Sequence, residues 1–173
     1  MILETPRLLL REVTPDDRDD LALILQDAET MTYYEHLFTD EEVLEWLDRQ
    51  IARYAAGFGL WAVALKEGGG MIGQCGLTWQ DWDGDKVLEV GYLLNRAHWH
   101  RGYAAEAARA CRDYAFQSLG AETVYSIIRV GNIASIKVAQ RNGMRRLGGL
   151  VKHYYGIDMP HEVWGITRRE AGF

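Results

Sequence analysis

The feature that most constrains this chain is one glycine between an apolar run and an alanine-rich run. Residues 87–94 are apolar but for Glu89. His98-Trp99-His100-Arg101-Gly102-Tyr103-Ala104 follows and leads into Ala105-Glu106-Ala107-Ala108-Arg109-Ala110, with Tyr114, Ala115 and Phe116 beyond at helical spacing. The pattern predicts strand, turn and helix, with Gly102 where the helix begins. The first amides of a helix have no partner inside it and carry the positive end of its dipole. A glycine there lets an anion reach the backbone without a Cβ in the way. The turn is therefore built like a phosphate cradle; an ordinary strand-to-helix loop is the plain alternative. Two familiar cradles do not fit. No G-x-x-x-x-G-K-[ST] run is present, and the turn holds one glycine where a dinucleotide site needs G-x-G-x-x-G.

The 173 residues, 48% apolar and 25% charged, are enough for one domain, 1–173, with its own core. No apolar run approaches the roughly 20 residues of a membrane span, so no membrane partner is expected. The opening Met1-Ile2-Leu3-Glu4-Thr5-Pro6 lacks the basic region and apolar core of a signal peptide, which points to the cytoplasm. Cys75 and Cys111 lie far apart in the chain and read as buried free thiols, with no metal site expected. A formal net charge of −6 argues against a nucleic-acid partner and suits a cationic substrate, solubility being the plain alternative.

In chain order, residues 7–13 read as a first strand, and Thr14-Pro15-Asp16-Asp17 opens a helix with a capping residue, a proline and an acid in the places a helix start favours. Residues 31–38 form a loop rich in Tyr33, Tyr34, Glu35 and His36. Thr39 to Glu42 is a second capping box, opening a helix that ends at Gly57 and Gly59. Residues 60–65 and 71–79 read as a hairpin, Asp81-Trp82-Asp83-Gly84-Asp85 as a polar turn, and 87–94 as the strand before the cradle, with Glu89 its one internal carboxylate. A helix over 103–119, a strand over 123–128 and a helix capped by Asn132 and closed by Asn142-Gly143 come next. Residues 144–154 and 162–168 read as a final antiparallel pair joined across Gly156 and Pro160. The expected fold class is α/β (α+β), a mixed central sheet of about seven strands with about four helices.

The run from Trp99 to Ala104 is similar to [RQ]-x-x-G-x-[GA], the pyrophosphate-binding signature of the GNAT acyltransferases, with Trp99 where Arg or Gln is usual. Gly131-Asn132-Ile133-Ala134-Ser135, then Asn142-Gly143-Met144, resembles that family's second motif, N-x-x-S with a later G-F, Met144 replacing Phe. The Gly102-Tyr103-Ala104-x-Glu106-Ala107 run after a tryptophan resembles the RimJ/RimL branch, the ribosomal-protein N-terminal acetyltransferases. So does the opening T-x-R-L-x-L-R, from Thr5 to Arg11, before the Asp-rich helix start. The resemblance extends over nearly the whole chain.

It implies a single GNAT-type domain whose sheet splays between its fourth and fifth strands, with acetyl-CoA as acyl donor and no metal. The pyrophosphate would sit on the amides of His100, Arg101, Gly102, Tyr103 and Ala104. The pantetheine arm would pair with the strand backbone around Leu93 and Leu94, and Asn132 would bond it from the other side. The chemistry implied is direct attack of an amine on the thioester, the amine belonging to a protein N-terminus or a small molecule. A protonated amine, of pKa roughly 8 to 10, cannot attack, so a base is needed. Glu89 is the expected base, a rim carboxylate paired with arginine being its plain alternative. Ser135 is the expected donor to the departing sulfur, since Ala139 stands where many relatives carry a tyrosine; a first-turn hydroxyl bonded to backbone is the alternative. Tyr33, Tyr34, Glu35 and His36 are candidate substrate contacts in the acceptor wall, a solvated loop with aromatics packed beneath it being the plain alternative. A non-catalytic acyl-CoA-binding module and a nucleotide-binding regulator are the competing readings. The chain is expected to act as a monomer or homodimer.

Overall fold

The computed structural model describes residues 2–173; Met1, part of the opening read for a signal peptide, lies outside them. Eight strands join in one mixed sheet: β1 (Leu3–Glu4), β2 (Leu8–Arg11), β3 (Leu60–Leu65), β4 (Met71–Trp82), β5 (Asp85–Leu94), β6 (Thr123–Arg129), β7 (Arg145–Tyr154) and β8 (Ile157–Thr167). Their spatial order is β1-β2-β3-β4-β5-β6-β8-β7. Every neighbouring pair is antiparallel except β5 and β6. The strand beyond the expected seven is β1, two residues that pair with Leu9 and Leu10 of β2. Four α-helices, α1 (Arg18–Leu25), α2 (Asp40–Arg53), α3 (Tyr103–Gln117) and α4 (Ile133–Arg141), cover the two faces. No helix among the described residues is long and apolar enough to cross a membrane.

Both capping boxes form. Thr14 N–H donates to Asp17 Oδ2 at 2.8 Å, and Asp17 also receives Arg11 Nη1 and Nη2 at 2.7 and 2.6 Å. Thr39 N–H donates to Glu42 Oε2 at 2.8 Å, while Glu42 N–H returns to Thr39 Oγ1 at 3.3 Å. Each satisfies amides that a helix start leaves open, worth about 1 kcal/mol.

Alternation in the strands splits the core in two. Leu8, Leu10, Val63, Leu77, Leu88 and Val90 point at α3, whose alanines bring Ala107, Ala108, Cys111 and Phe116 close against the sheet. On the opposite face Ala62 and Met71 pack with Leu21, Ile24 and Leu25 of α1 and Val43 and Leu47 of α2. Cys75 and Cys111 are free and buried, their sulfurs 3.5 Å apart.

The β4–β5 turn is Asp83-Gly84, both with positive φ (53° and 84°), the backbone of a tight two-residue hairpin. The last hairpin differs from the sequence expectation. Its turn is Tyr155-Gly156 alone, and Pro160 lies inside β8. The proline is tolerated because β8 outruns β6 there. Their last registered pair is Arg129↔His161, so the missing N–H of Pro160 costs no ladder bond, while its carbonyl still accepts from Val130 N–H at 3.0 Å.

Between β5 and β6 the ladder has one registered pair, Glu89↔Tyr125. Beyond it side chains take over the backbone groups. Ser126 Oγ donates to Val90 O at 2.9 Å, and Ile127 N–H donates to Glu89 Oε1 at 3.2 Å. The strands then part, leaving the end of β5 open toward β6.

Candidate active site

The cradle stands at the open end of β5. Gly102 is the N-cap of α3 with φ 81°, and His100 also has a positive φ, 60°. Left-handed residues flanking Arg101 give the kind of backbone that curls successive amides into an anion-binding concavity. For His100, a non-glycine, that conformation costs about 1 kcal/mol, a strain found where a loop is shaped for a purpose. The first bond of the helix ladder is Glu106 N–H to Gly102 O at 3.1 Å, so the amides of Tyr103, Ala104 and Ala105 precede it. A serine or aspartate at the cap would have taken one of them; glycine leaves them open.

The N-terminal strands brace this turn. Glu106 accepts from Thr5 Oγ1 at 2.6 Å, Arg7 N–H at 3.0 Å and Arg7 Nε at 2.7 Å, and pairs with Arg7 Nη2 at 2.6 Å. Arg7 Nη1 reaches on to the Arg101 carbonyl at 2.9 Å, and the guanidinium lies 4.6 Å from the centre of the Tyr103 ring. Burial alone would lift the Glu106 carboxyl, but the hydrogen bonds from Thr5 and Arg7 overcome it and hold it below the ordinary glutamate range. Trp99, the departure from the signature, closes the same turn: its indole N–H donates to Leu94 O at 2.8 Å.

That bond bears on the strand edge. Asn95 N–H donates to Ile72 O in β4 at 2.9 Å, so by alternation the backbone groups of Leu93 also face β4. Val90 O faces β6, hence Tyr92 and Leu94 do too. The edge open to an extended ligand is therefore Tyr92 and the Leu94 N–H rather than the expected Leu93–Leu94 pair, and the Leu94 carbonyl is already spent on Trp99.

Across the gap, α4 presents its first turn. Asn132 Oδ1 accepts from Ser135 N–H at 3.1 Å, capping α4. The Ser135 carbonyl accepts from Tyr92 Oη at 2.9 Å, so β5 and α4 are tied by a phenol that the sequence did not single out. Burial pushes the Tyr92 hydroxyl far above its ordinary pKa, against the opposing bond to Ser135, and keeps it protonated. Ala139 is 1% exposed and packs in the core.

Glu89 lies on the α1–α2 face of the sheet, half-buried where the strands separate. Its Oε2 accepts from Thr78 Oγ1 at 3.2 Å and its Oε1 from Ile127 N–H at 3.2 Å. Burial raises its pKa above the ordinary glutamate value, opposed by the Lys152 charge and by the bonds from Ile127 and Thr78. An arginine partner, the plain alternative for this residue, is not among the groups bonded to it.

The α1–α2 loop roofs this carboxylate. Tyr33 Oη donates to Gly131 O at 2.9 Å, pinning the roof to the loop that carries Asn132. Tyr34 is 38% exposed as a residue, but its hydroxyl is pushed up to about 12 by local burial and by the charges of Glu89 and Glu35. His36 Nε2 pairs with Glu42 Oε1 at 2.8 Å, and its ring meets Tyr155 of the β7–β8 turn edge-on at 5.0 Å. Of the four loop residues expected at the acceptor, Tyr33 and His36 hold the loop in place.

These elements match known proteins. A family model described as an acetyltransferase (GNAT) domain matches residues 7–145. An uncharacterized Bacillus subtilis (strain 168) protein, YkkB, is 39% identical over 144 residues, 82% of this chain and 84% of its own. The crystal structure of an acetyltransferase from Agrobacterium tumefaciens str. C58 superposes with TM-score 0.78 at 30% identity, covering 95% of this chain and 92% of that one. That of a GNAT-family acetyltransferase from Bacillus anthracis gives TM-score 0.83 at 23% identity over 98% and 99%. With cradle, parted strands and capped helix in the order its motifs require, the chain belongs to the GNAT acetyltransferases, the family of enzymes that take their acyl group from acetyl-CoA.

Proposed function

We propose that residues 1–173 form one N-acetyltransferase domain of the RimJ/RimL type, transferring acetyl from acetyl-CoA to a primary amine by direct attack. The observation that carries this reading is the conjunction of open amides around Gly102 with a strand gap that side chains hold apart. The amides of His100, Arg101, Gly102, Tyr103 and Ala104 take the diphosphate, a fit of negative charge to helix N-terminus. The Tyr92–Leu94 edge and the Asn132 amide hold the extended, amide-bearing arm by completing strand-like hydrogen bonds.

Bound there, acetyl-CoA supplies the thioester: the amine nitrogen bonds to its carbonyl carbon, the C–S bond breaks, and the acetyl group leaves as an amide. Glu89 receives one proton of the incoming ammonium, directly or through a water, and passes it to solvent. Its raised pKa brings it nearer to the amine it must deprotonate. The second ammonium proton ends on the sulfur. Ser135 donates to that sulfur as it leaves, its hydrogen bonds among the described residues running through its backbone. The free thiols fit a cytoplasmic protein.

Two measurements test the reading. Coenzyme A should raise the melting temperature and ATP should not; equal stabilisation by both would favour the nucleotide-binding reading. Thiol release should follow addition of acetyl-CoA and an acceptor amine, and fall in Glu89→Gln and Ser135→Ala. Tight coenzyme A binding with no release from any amine would leave the non-catalytic module.

A further inference from the structure

The floor beside Glu89 carries positive charge that the acetyl transfer itself does not use. Tyr125, Ile127 and Arg129 share one face of β6 by alternation. That face is the Glu89 face: Tyr125 packs edge-on against Trp82 at 5.8 Å, and Trp82 shares a side of β4 with Thr78, the partner of Glu89. Arg129 is thus two residues, about 7 Å of strand, beyond the amide that Glu89 accepts from. Its Nη1 is buried and has no hydrogen-bond partner among the described residues. Burying a guanidinium nitrogen without a partner is costly, and such an orphan calls for an explanation. Lys152 stands on the same floor, its Nζ donating to Gln80 Oε1 at 3.2 Å, and His161 is registered opposite Arg129. The roof is pinned at Gly131, two residues past Arg129.

A carboxylate at one end of a roofed floor and, at the other, a half-buried guanidinium with one unpartnered nitrogen read as a two-point site. A polyamine would meet Arg129 and Lys152 as like charges. A peptide N-terminus brings an amide where Arg129 offers a charged fork matched to a carboxylate. We propose that the acceptor is a small amino acid: its amine faces Glu89 and its carboxylate pairs with the Arg129 guanidinium. This rests on the acetyltransferase reading above and leaves its chemistry unchanged.

The test uses the purified chain with acetyl-CoA and follows thiol release with free amino acids, the matching amino acid amides, a short peptide and spermidine. At least one amino acid should exceed its own amide at least about tenfold in kcat/KM, the worth of a hydrogen bond to a charged group. Arg129→Met should erase that preference mainly through KM, and Arg129→Lys should restore part of it. Both variants should keep the stabilisation by coenzyme A, which shows that they fold and hold the donor. Preference for an amide, the peptide or spermidine, or an unchanged preference in Arg129→Met, would overturn the proposal while leaving the acetyltransferase reading intact. If coenzyme A fails to stabilise even the wild-type chain, the reading beneath falls and takes this one with it.

Discussion

Replacing Glu106 by alanine should loosen the cradle from behind. The residue never meets a ligand in the proposed site; it ties the first strands to the turn through Thr5 and both the backbone and side chain of Arg7. Thr5 loses little, because its hydroxyl proton can turn to the Leu8 carbonyl, already 3.4 Å away. The Arg7 side chain is 48% exposed, so its ion pair is screened and counts for well under 1 kcal/mol. What remains is the hydrogen bond from the Arg7 backbone N–H to the charged carboxylate, about 2 kcal/mol after solvent competition. The sum is about 2–3 kcal/mol, which in a chain of this size lowers the melting temperature by roughly 5–10 °C. The pH dependence has a definite sign. The Glu106 carboxyl is held below its ordinary pKa in the fold, so its stabilisation is present above the unfolded value and is lost as pH falls through the folded one. The gap between wild type and Glu106→Ala should thus be full at pH 7 and shrink below about pH 4. Scanning fluorimetry across pH, with and without coenzyme A, measures both effects, and the variant should also bind coenzyme A more weakly because Arg7 no longer holds the Arg101 carbonyl. A shift under about 2 °C at pH 7 with unchanged coenzyme A affinity would refute the bracing role.

Other outcomes follow from the same geometry. Glu89→Gln should cost about 10²–10⁴ in kcat with coenzyme A binding retained, as read by thiol release and calorimetry. In the wild type, activity should climb with pH through a value above the ordinary glutamate range, as the buried carboxyl ionises. Because that pKa is raised in the fold, Glu89 stabilises only in its protonated form and loses this as pH rises, so Glu89→Gln should melt higher than wild type at neutral pH and the gap should close in acid; a lower melting point would contradict the burial account. Gly102→Ala should cost about 1–2 kcal/mol in stability from φ 81° alone and weaken coenzyme A more than it weakens the fold. Tyr33→Phe removes the pin on Gly131 and should raise the acceptor KM with little effect on that of acetyl-CoA.

Much of this architecture could be read from residue order, and the reason is local. Thr14, Thr39, Asn132 and Gly102 act within a few residues of themselves, so capping chemistry writes them plainly into the chain. Thr5, Arg7 and Arg11 matched a family pattern whose cause was invisible: the first two clamp Glu106 at the cradle, and the third pairs with Asp17. Contacts spanning the chain left no such trace. Tyr92 reaching the Ser135 carbonyl, Lys152 charging the floor beside Glu89, and Arg129 with its orphaned nitrogen are set by sheet order, which periodicity does not give. The one-residue offset from Leu93 to Tyr92 arises likewise: strand alternation was evident, but which edge faced the gap was fixed by Asn95 and Ile72. Pro160 misled because proline usually ends a strand, and here its neighbour ended first.

Where β5 and β6 separate, Ser126 and Glu89 have already saturated the backbone groups that would otherwise attract one another. The opening is consequently a permanent fork, held at its crotch, which has nothing to rezip once a ligand departs. Donor exchange then demands no strand rupture, and new cargo could be accommodated by rewriting the loops overhead while the forked frame stays as it is.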